Sequence, residues 1–219
     1  MKYKLLIVII LFCFNVSRAQ DKKFSLKPAL GVTASQVHGD NYAGYNKLGF
    51  IGGLYVNSYF SKTLSLDLGL IFVQKGSRHN QNPEKNDFKY YYLNLNYLEV
   101  PVILRYAPNK FFLTIGVSYA YLVNYYEASE SGNQTGFYPF NKSEYSLNAG
   151  VGMSITKKID FEVRANNSFM TIRPFGGNFA PYYNNFLARW FNKGFYNNVL
   201  QLVFTYKISP SKKSEQTED

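Results

Sequence analysis

From Phe24 onward, apolar and polar residues alternate. Phe24, Leu26, Pro28, Leu30 and Val32 form one stripe, and Leu64, Leu66, Leu68, Leu70 and Phe72 form another against Ser65, Asp67, Gly69 and Ile71. The same period returns at Phe111–Val123, Tyr145–Ile155, Ile159–Ala165 and Tyr196–Ile208. A period of two sends successive side chains to opposite faces, so it predicts strands where a 3.6-residue period would predict helices. Gly49–Phe60 and Tyr92–Tyr106 carry noisier versions of the pattern and bring the predicted strands to eight.

The connections alternate as strictly as the residues do. Ser61-Lys62, Ala107–Lys110 and Thr156–Lys158 are short, and the four connections between them are long. An even number of antiparallel strands with short turns at one end and long loops at the other is the arrangement of a transmembrane barrel. The predicted fold is therefore all-β: an eight-stranded antiparallel up-and-down transmembrane β-barrel over residues 20–208.

Charge placement sharpens this prediction. Lys27, Asp67, Lys75, Glu99, Arg105, Glu144, Asp160, Glu162, Arg164 and Lys207 all fall on the less apolar side of their strands. A Lys or Arg facing lipid at mid-bilayer costs about 2–4 kcal/mol, so a lipid-facing stripe should exclude charge in this way. A soluble lipocalin-like barrel would reverse the two faces. Two features favour lipid outside. The polar stripe is rich in Gly, Ala and Ser, as a narrow eight-stranded interior requires. Aromatics also gather at strand ends, with Tyr59, Phe60, Tyr106, Phe111 and Tyr206 at one rim and Tyr91, Tyr92, Tyr121, Tyr125, Tyr145 and Tyr196 at the other.

In "YLNLNYLEVPVILRY" (92–106), this register turns Leu98, Val100, Val102, Leu104 and Tyr106 to lipid and Glu99, Pro101, Ile103 and Arg105 to the lumen. Isolated charge in a dry lumen is very costly, so the inward acids and bases must pair. Asp67, Glu99, Arg105, Glu162 and Arg164 are the expected interior ion-pair network. Pro101 lacks an N–H, which predicts a bulge or distorted pairing there.

"GGLYVNSYFSKTLSLDLGLIFVQKGS", "YLEVPVILRY", "FFLTIGVSYAYLV", "LNAGVGMSI" and "DFEVRANNSF" together resemble the PorT-like outer-membrane β-barrel proteins, small barrels of Gram-negative bacteria often labelled porin family. The Gln-Lys-Gly ending strand three and the Tyr-Leu-Glu-Val-Pro of strand four are the most specific parts. The resemblance implies an outer-membrane barrel. It also implies a tie to envelope assembly, since the founding member is similar to an assembly factor of a protein secretion and gliding apparatus. One departure concerns the chain end: Tyr206-Lys-Ile is followed by a polar tail, 209–219, where such barrels usually finish on an aromatic.

Residues 1–19 read as a cleaved signal peptide. Lys2 and Lys4 precede the apolar run Leu5–Phe14, and Ser17-Arg18-Ala19 places small residues at −3 and −1. Cys13, the only cysteine, lies in that run, so a disulfide framework or thiol nucleophile is not expected. The formal charge is +10, and removing Lys2, Lys4 and Arg18 leaves +7. That surplus suits lipid phosphate and lipopolysaccharide, with Lys47, Arg78, Lys85, Lys89, Lys142 and Arg173 in the predicted outer loops. Nucleic acid is not an expected partner of an exported chain.

Catalysis is not expected, nor is any metal or cofactor. His38 and His79 fall in predicted loops without metal spacing, and a His38–Asp40 pairing with Ser35 or Ser77 is a weaker reading than solvated histidines. The fourth long loop, "RPFGGNFAPYYNNFLARWFNKG", is more informative. Phe175, Phe179, Tyr182, Tyr183, Arg189 and Trp190 combine aromatics with arginine, the usual anchors of a binding surface. The same rings could equally fold over the barrel mouth and bury one another. The function expected is a non-enzymatic barrel with a filled lumen, acting in envelope structure or docking. A small-solute channel and a soluble ligand-binding barrel are the alternatives.

Overall fold

The computed structural model describes residues 24–42, 44–175 and 193–208. The expected leader and the polar tail lie outside the described residues. Eight long strands form: β1 (Phe24–His38), β2 (Lys47–Tyr59), β3 (Leu64–His79), β4 (Tyr91–Tyr106), β5 (Phe111–Ser129), β6 (Ser143–Ser154), β7 (Ile159–Ser168) and β8 (Gly194–Tyr206). Each runs antiparallel to its chain neighbours, and β8 returns to β1, with Ala29 opposite Thr205 and His38 opposite Tyr196. The sheet closes on itself, which satisfies the backbone without a free edge.

The turns at 60–63, 107–110 and 155–158 lie at one end, called here the lower end. They are tightened by backbone bonds such as Phe60 N–H to Leu64 O (2.9 Å) and Ile155 N–H to Ile159 O (2.9 Å). At the upper end lie the described parts of the long connections, residues 39–42, 44–46, 80–90, 130–142, 169–175 and 193. Three strands run further upward than alternation alone suggests, and His38 and His79, expected in loops, are instead the last residues of β1 and β3. There the outward stripe turns polar as well (Gln36, Gln74, Arg78), so the contrast between the faces fades while the pairing continues.

Outward and inward faces separate cleanly on β4. Leu98, Val100, Val102, Leu104 and Tyr106 are 37–49% exposed, whereas Glu99 is 1%, Ile103 0% and Arg105 6% exposed. The apolar stripe continues around the barrel through Leu68, Leu113, Ile115, Leu147, Val151 and Leu202. Above it, outward amides take over: Gln74, Asn94, Asn96, Asn124, Asn167 and Asn198. Several bond along the surface, Asn96 Nδ2 to Asn124 Oδ1 at 2.6 Å and Gln74 Nε2 to Asn96 Oδ1 at 3.1 Å. An uncharged apolar band bounded by tyrosines below and amides above is suited to hydrocarbon between two wet interfaces.

Two irregularities set what faces inward. Opposite Pro101 the β3–β4 ladder lapses between the pairs Leu68–Val102 and Ile71–Glu99, with the same register on either side. Gly69 sits in that gap, where a Cβ would lie 2.7 Å from the Tyr55 ring and 2.9 Å from Pro101 Cγ. The distortion expected at Pro101 is thus a local gap that a small neighbour fills. The register shift lies higher, where Tyr97 faces Leu122 but Asn96 faces Asn124, leaving Val123 as the extra residue of a bulge. Below it the even residues of β5 point inward (Phe112, Thr114, Ser118, Ala120); above it the odd residues Tyr125 and Glu127 do.

Candidate functional site

The lumen is built as stacked polar layers. At the lower end Arg105 pairs with Asp160 (2.8 Å), which also receives Lys207 (3.0 Å) and the Ser154 hydroxyl (2.7 Å). The Arg105 guanidinium stacks 3.4 Å over the Phe112 ring. That ring fits because Gly152 opposite it has no side chain; a Cβ there would come within 2.2 Å of Phe112. Beside this layer Lys27 pairs with Asp67 (2.6 Å), and the Asn57 amide donates to the same carboxylate (2.6 Å).

The middle layer joins β2, β5 and β7. Arg164 donates twice to Glu162, from Nε (2.9 Å) and Nη2 (2.7 Å), and its Nη1 donates to the Tyr55 hydroxyl (2.8 Å). Thr114 supplies a further hydroxyl to Glu162 at 2.6 Å. Two residues apart on one strand, Glu162 and Arg164 share the inward face and pair along it.

Above them lies the most tightly closed layer. Lys75 Nζ donates to Glu144 (2.8 Å) and Asn166 (2.8 Å) and forms an ion pair with Glu99 (2.9 Å). Asn197 and Ser146 complete Glu144 (both 2.7 Å), while the Asn166 amide bonds Glu99 (3.1 Å) and Asn148 (2.9 Å). Lys75, Asn166, Asn197 and Gln201 are 0% exposed and Glu99 and Glu144 1%. Through the three layers five cations (Lys27, Lys75, Arg105, Arg164, Lys207) meet five carboxylates (Asp67, Glu99, Glu144, Asp160, Glu162), and the interior is formally neutral.

The upper mouth carries a clasp. Arg173, at the base of the fourth outer loop, forks onto Glu127 of β5 through Nη1 (3.1 Å) and Nη2, and the Tyr91 hydroxyl donates to the same carboxylate (2.8 Å). Its guanidinium lies 3.6 Å over Phe140 and 5.0 Å from Phe195. Ile172 beside it is fully buried. Its N–H bonds Phe195 O (2.8 Å) and its carbonyl takes the Asn141 N–H (2.7 Å), which ties the third and fourth loops together. Across the mouth Tyr42 stacks between His79 (4.8 Å) and Tyr91 (5.0 Å), and His79 Nε2 lies 2.7 Å from Asp87. Burial pushes the Asp40 carboxyl above the usual carboxylate range, although bonds from Ser77 and the Tyr42 N–H oppose the shift.

Asp67, Glu99, Arg105, Glu162 and Arg164 all lie inside the barrel, but in separate layers rather than one mutual network. Only Glu162 and Arg164 pair with each other; the remaining three take Lys27, Lys75 and Asp160 as partners. Each of those partners already stood among the inward charges of the alternation. Glu127 did not, because the bulge that turns it inward has no local signature. Arg173 and Lys47, expected to face outer-leaflet phosphates, are otherwise engaged. Arg173 is held by Glu127, and Lys47 is 5% exposed with its ammonium on the Leu48 carbonyl (2.8 Å). Arg78 stands in β3 rather than in a loop. Phe175 packs edge-on against Phe195 (5.9 Å), while Phe179, Tyr182, Tyr183, Arg189 and Trp190 lie outside the described residues.

Arg173→Ala is expected to cost about 1–3 kcal/mol, because it leaves a buried carboxylate short of its donors. It should also open the loop bases at residues 141 and 172 to protease. Unfolding in urea and limited proteolysis measure both, and a variant as stable and as resistant as the parent would contradict the clasp.

The profile of the outer membrane protein beta-barrel domain matches residues 18–172. Among solved structures the chain is similar to Ail, the attachment invasion locus protein of Yersinia pestis, with a TM-score of 0.46 and 11% identity over 86% of this chain and 100% of that one. It is similar too to Neisserial surface protein A (TM-score 0.46, 9% identity, 84% and 96% covered) and to CarO of Acinetobacter baumannii (0.46, 11%, 82% and 96%). No curated protein matches the sequence at a significant level.

Proposed function

The chain belongs to the outer membrane protein beta-barrel domain family and sits in the bacterial outer membrane, and from that premise we propose that it is a closed, non-enzymatic barrel whose outer loops serve as a docking surface in the envelope. The observation that carries this reading is the layer around Lys75, where one cation meets Glu99 and Glu144 across the lumen and Asn166, Asn197 and Gln201 beside it are fully buried. A conducting pore needs the opposite, a hydrated lumen with charge facing water.

Two further features favour docking over chemistry. Phe88, Phe137 and Tyr138 stand 64–71% exposed on the upper loops, where aromatic rings serve as anchors for partners. Of the hydroxyls that a triad with His38 and Asp40 would use, Ser35 donates instead to the Lys47 carbonyl (3.2 Å), and His79 is paired with Asp87. Among the described residues no group of three or more His, Cys, Asp or Glu is placed to hold a metal ion. The PorT-like motifs make a secretion or gliding assembly the first partner to look for.

Planar-bilayer recording tests the closed lumen. The folded protein is expected to insert without discrete conductance steps. Regular, ion-selective steps would overturn the closed reading in favour of the small-solute channel.

A further inference from the structure

We propose that a groove on the outside of β5, β6 and β7 binds one anionic phospholipid of the periplasmic leaflet. Ladder pairing sets Ile115 beside Ala149, Ala149 beside Ala165 and Ala165 beside Leu200, so one outward row reads large, small, small, large. Methyl groups between two branched side chains leave a trough, and the structure has a concavity of about 550 Å³ there. A second concavity of about 350 Å³ continues it downward and shares Tyr106, Leu113, Val151 and Val163 as walls. The trough thus runs from mid-band to the lower rim, where Pro108, Phe111 and Met153 line its end. Its walls are almost wholly apolar, as an acyl chain requires.

Charge at the lower rim supplies the second half of the argument. The groove opens between the turns 107–110 and 155–158, which carry Lys110, Lys157 and Lys158, all exposed. The Ser154 N–H bonds the Lys110 carbonyl (2.8 Å), which holds the two turns side by side. Among the described residues the acid nearest in sequence is Asp160, buried and engaged by Arg105 and Lys207. Three lysines on the two turns that flank the lower end of an apolar trough, with the Lys158 ammonium 5.9 Å over the Tyr206 ring of the next strand, match a phosphate above an acyl chain. A headgroup with net negative charge gains from all three; a zwitterionic one brings its own cation and gains less. The short turns face the periplasm in barrels of this family's architecture, which places the lipid in that leaflet.

Native mass spectrometry of the full chain, folded in detergent with phosphatidylglycerol or phosphatidylcholine, tests the site. Folding is checked by heat-dependent gel mobility. The parent is expected to retain one phosphatidylglycerol in clear preference to phosphatidylcholine. Replacing Lys110, Lys157 and Lys158 with Gln should remove that preference, at about fivefold for each lysine. A149L/A165L, which fills the trough from outside without touching the core, should lower retention of both lipids. Should that double variant not fold, Ala165→Leu alone serves with the same readings. Equal retention of the two lipids by the parent, an unchanged preference in the lysine variant or full retention in the filled variant would each overturn the proposal. None of these outcomes bears on whether the lumen conducts.

Discussion

Lys75→Met is expected to lower stability by about 3–5 kcal/mol, the scale for removing one partner of a buried ion pair. Lys75 is the only cation bonded to Glu99 or Glu144 among the described residues, and both carboxylates are 1% exposed. Without it, two acids face each other in a space that water does not reach, and either answer to that repulsion is unfavourable: protonation or distortion of the barrel. The Coulombic attraction being lost is not the main expense; the uncompensated burial is. For that reason the triple variant K75M/E99Q/E144Q should recover much of the loss, since it removes the charges together. Urea unfolding in detergent or lipid, followed by tryptophan fluorescence or gel mobility, gives both values. A single variant within 1 kcal/mol of the parent, or a triple variant worse than the single, would contradict the layered interior.

Ile115→Arg is expected to cost about 2–4 kcal/mol in a bilayer, the figure for a cation at the midplane of a lipid-facing strand. Ile115 is 65% exposed and stands between the lower tyrosines and the upper amides. On a soluble barrel an arginine at so exposed a site would be nearly neutral, so the substitution separates hydrocarbon from water as the outer solvent. Phe137→Arg, at a site 71% exposed on an upper loop, is the control and should change stability by no more than about 0.5 kcal/mol. Equal effects at the two positions would remove the membrane assignment of the apolar stripe.

Some of this architecture was open to view before any coordinates. The alternation around Leu66, Ile115 and Val151 announces strands, and the spacing of turns announces their number. The confinement of ten charges to one stripe shows which face hydrocarbon must exclude. The outer ends were less legible: β3 continues through Gln74 to His79, where both faces are polar and the two-residue signal disappears although pairing persists. Glu127 was invisible for another reason. Its direction depends on one extra residue, Val123, and a bulge leaves no composition of its own.

What the amino-acid order determined alone is the strand count, the closed antiparallel plan and the set of side chains that must shun lipid, because these follow from local period and from the penalty on charge in hydrocarbon. Which carboxylate meets which cation was decided only by the tertiary structure. Strand stagger carries Lys75 of β3 across to Glu144 of β6, and it brings Arg105 of β4 to Asp160 of β7 rather than to Asp67 on the adjacent strand. Partners of that kind are chosen by the geometry of closure, which no short stretch of sequence contains.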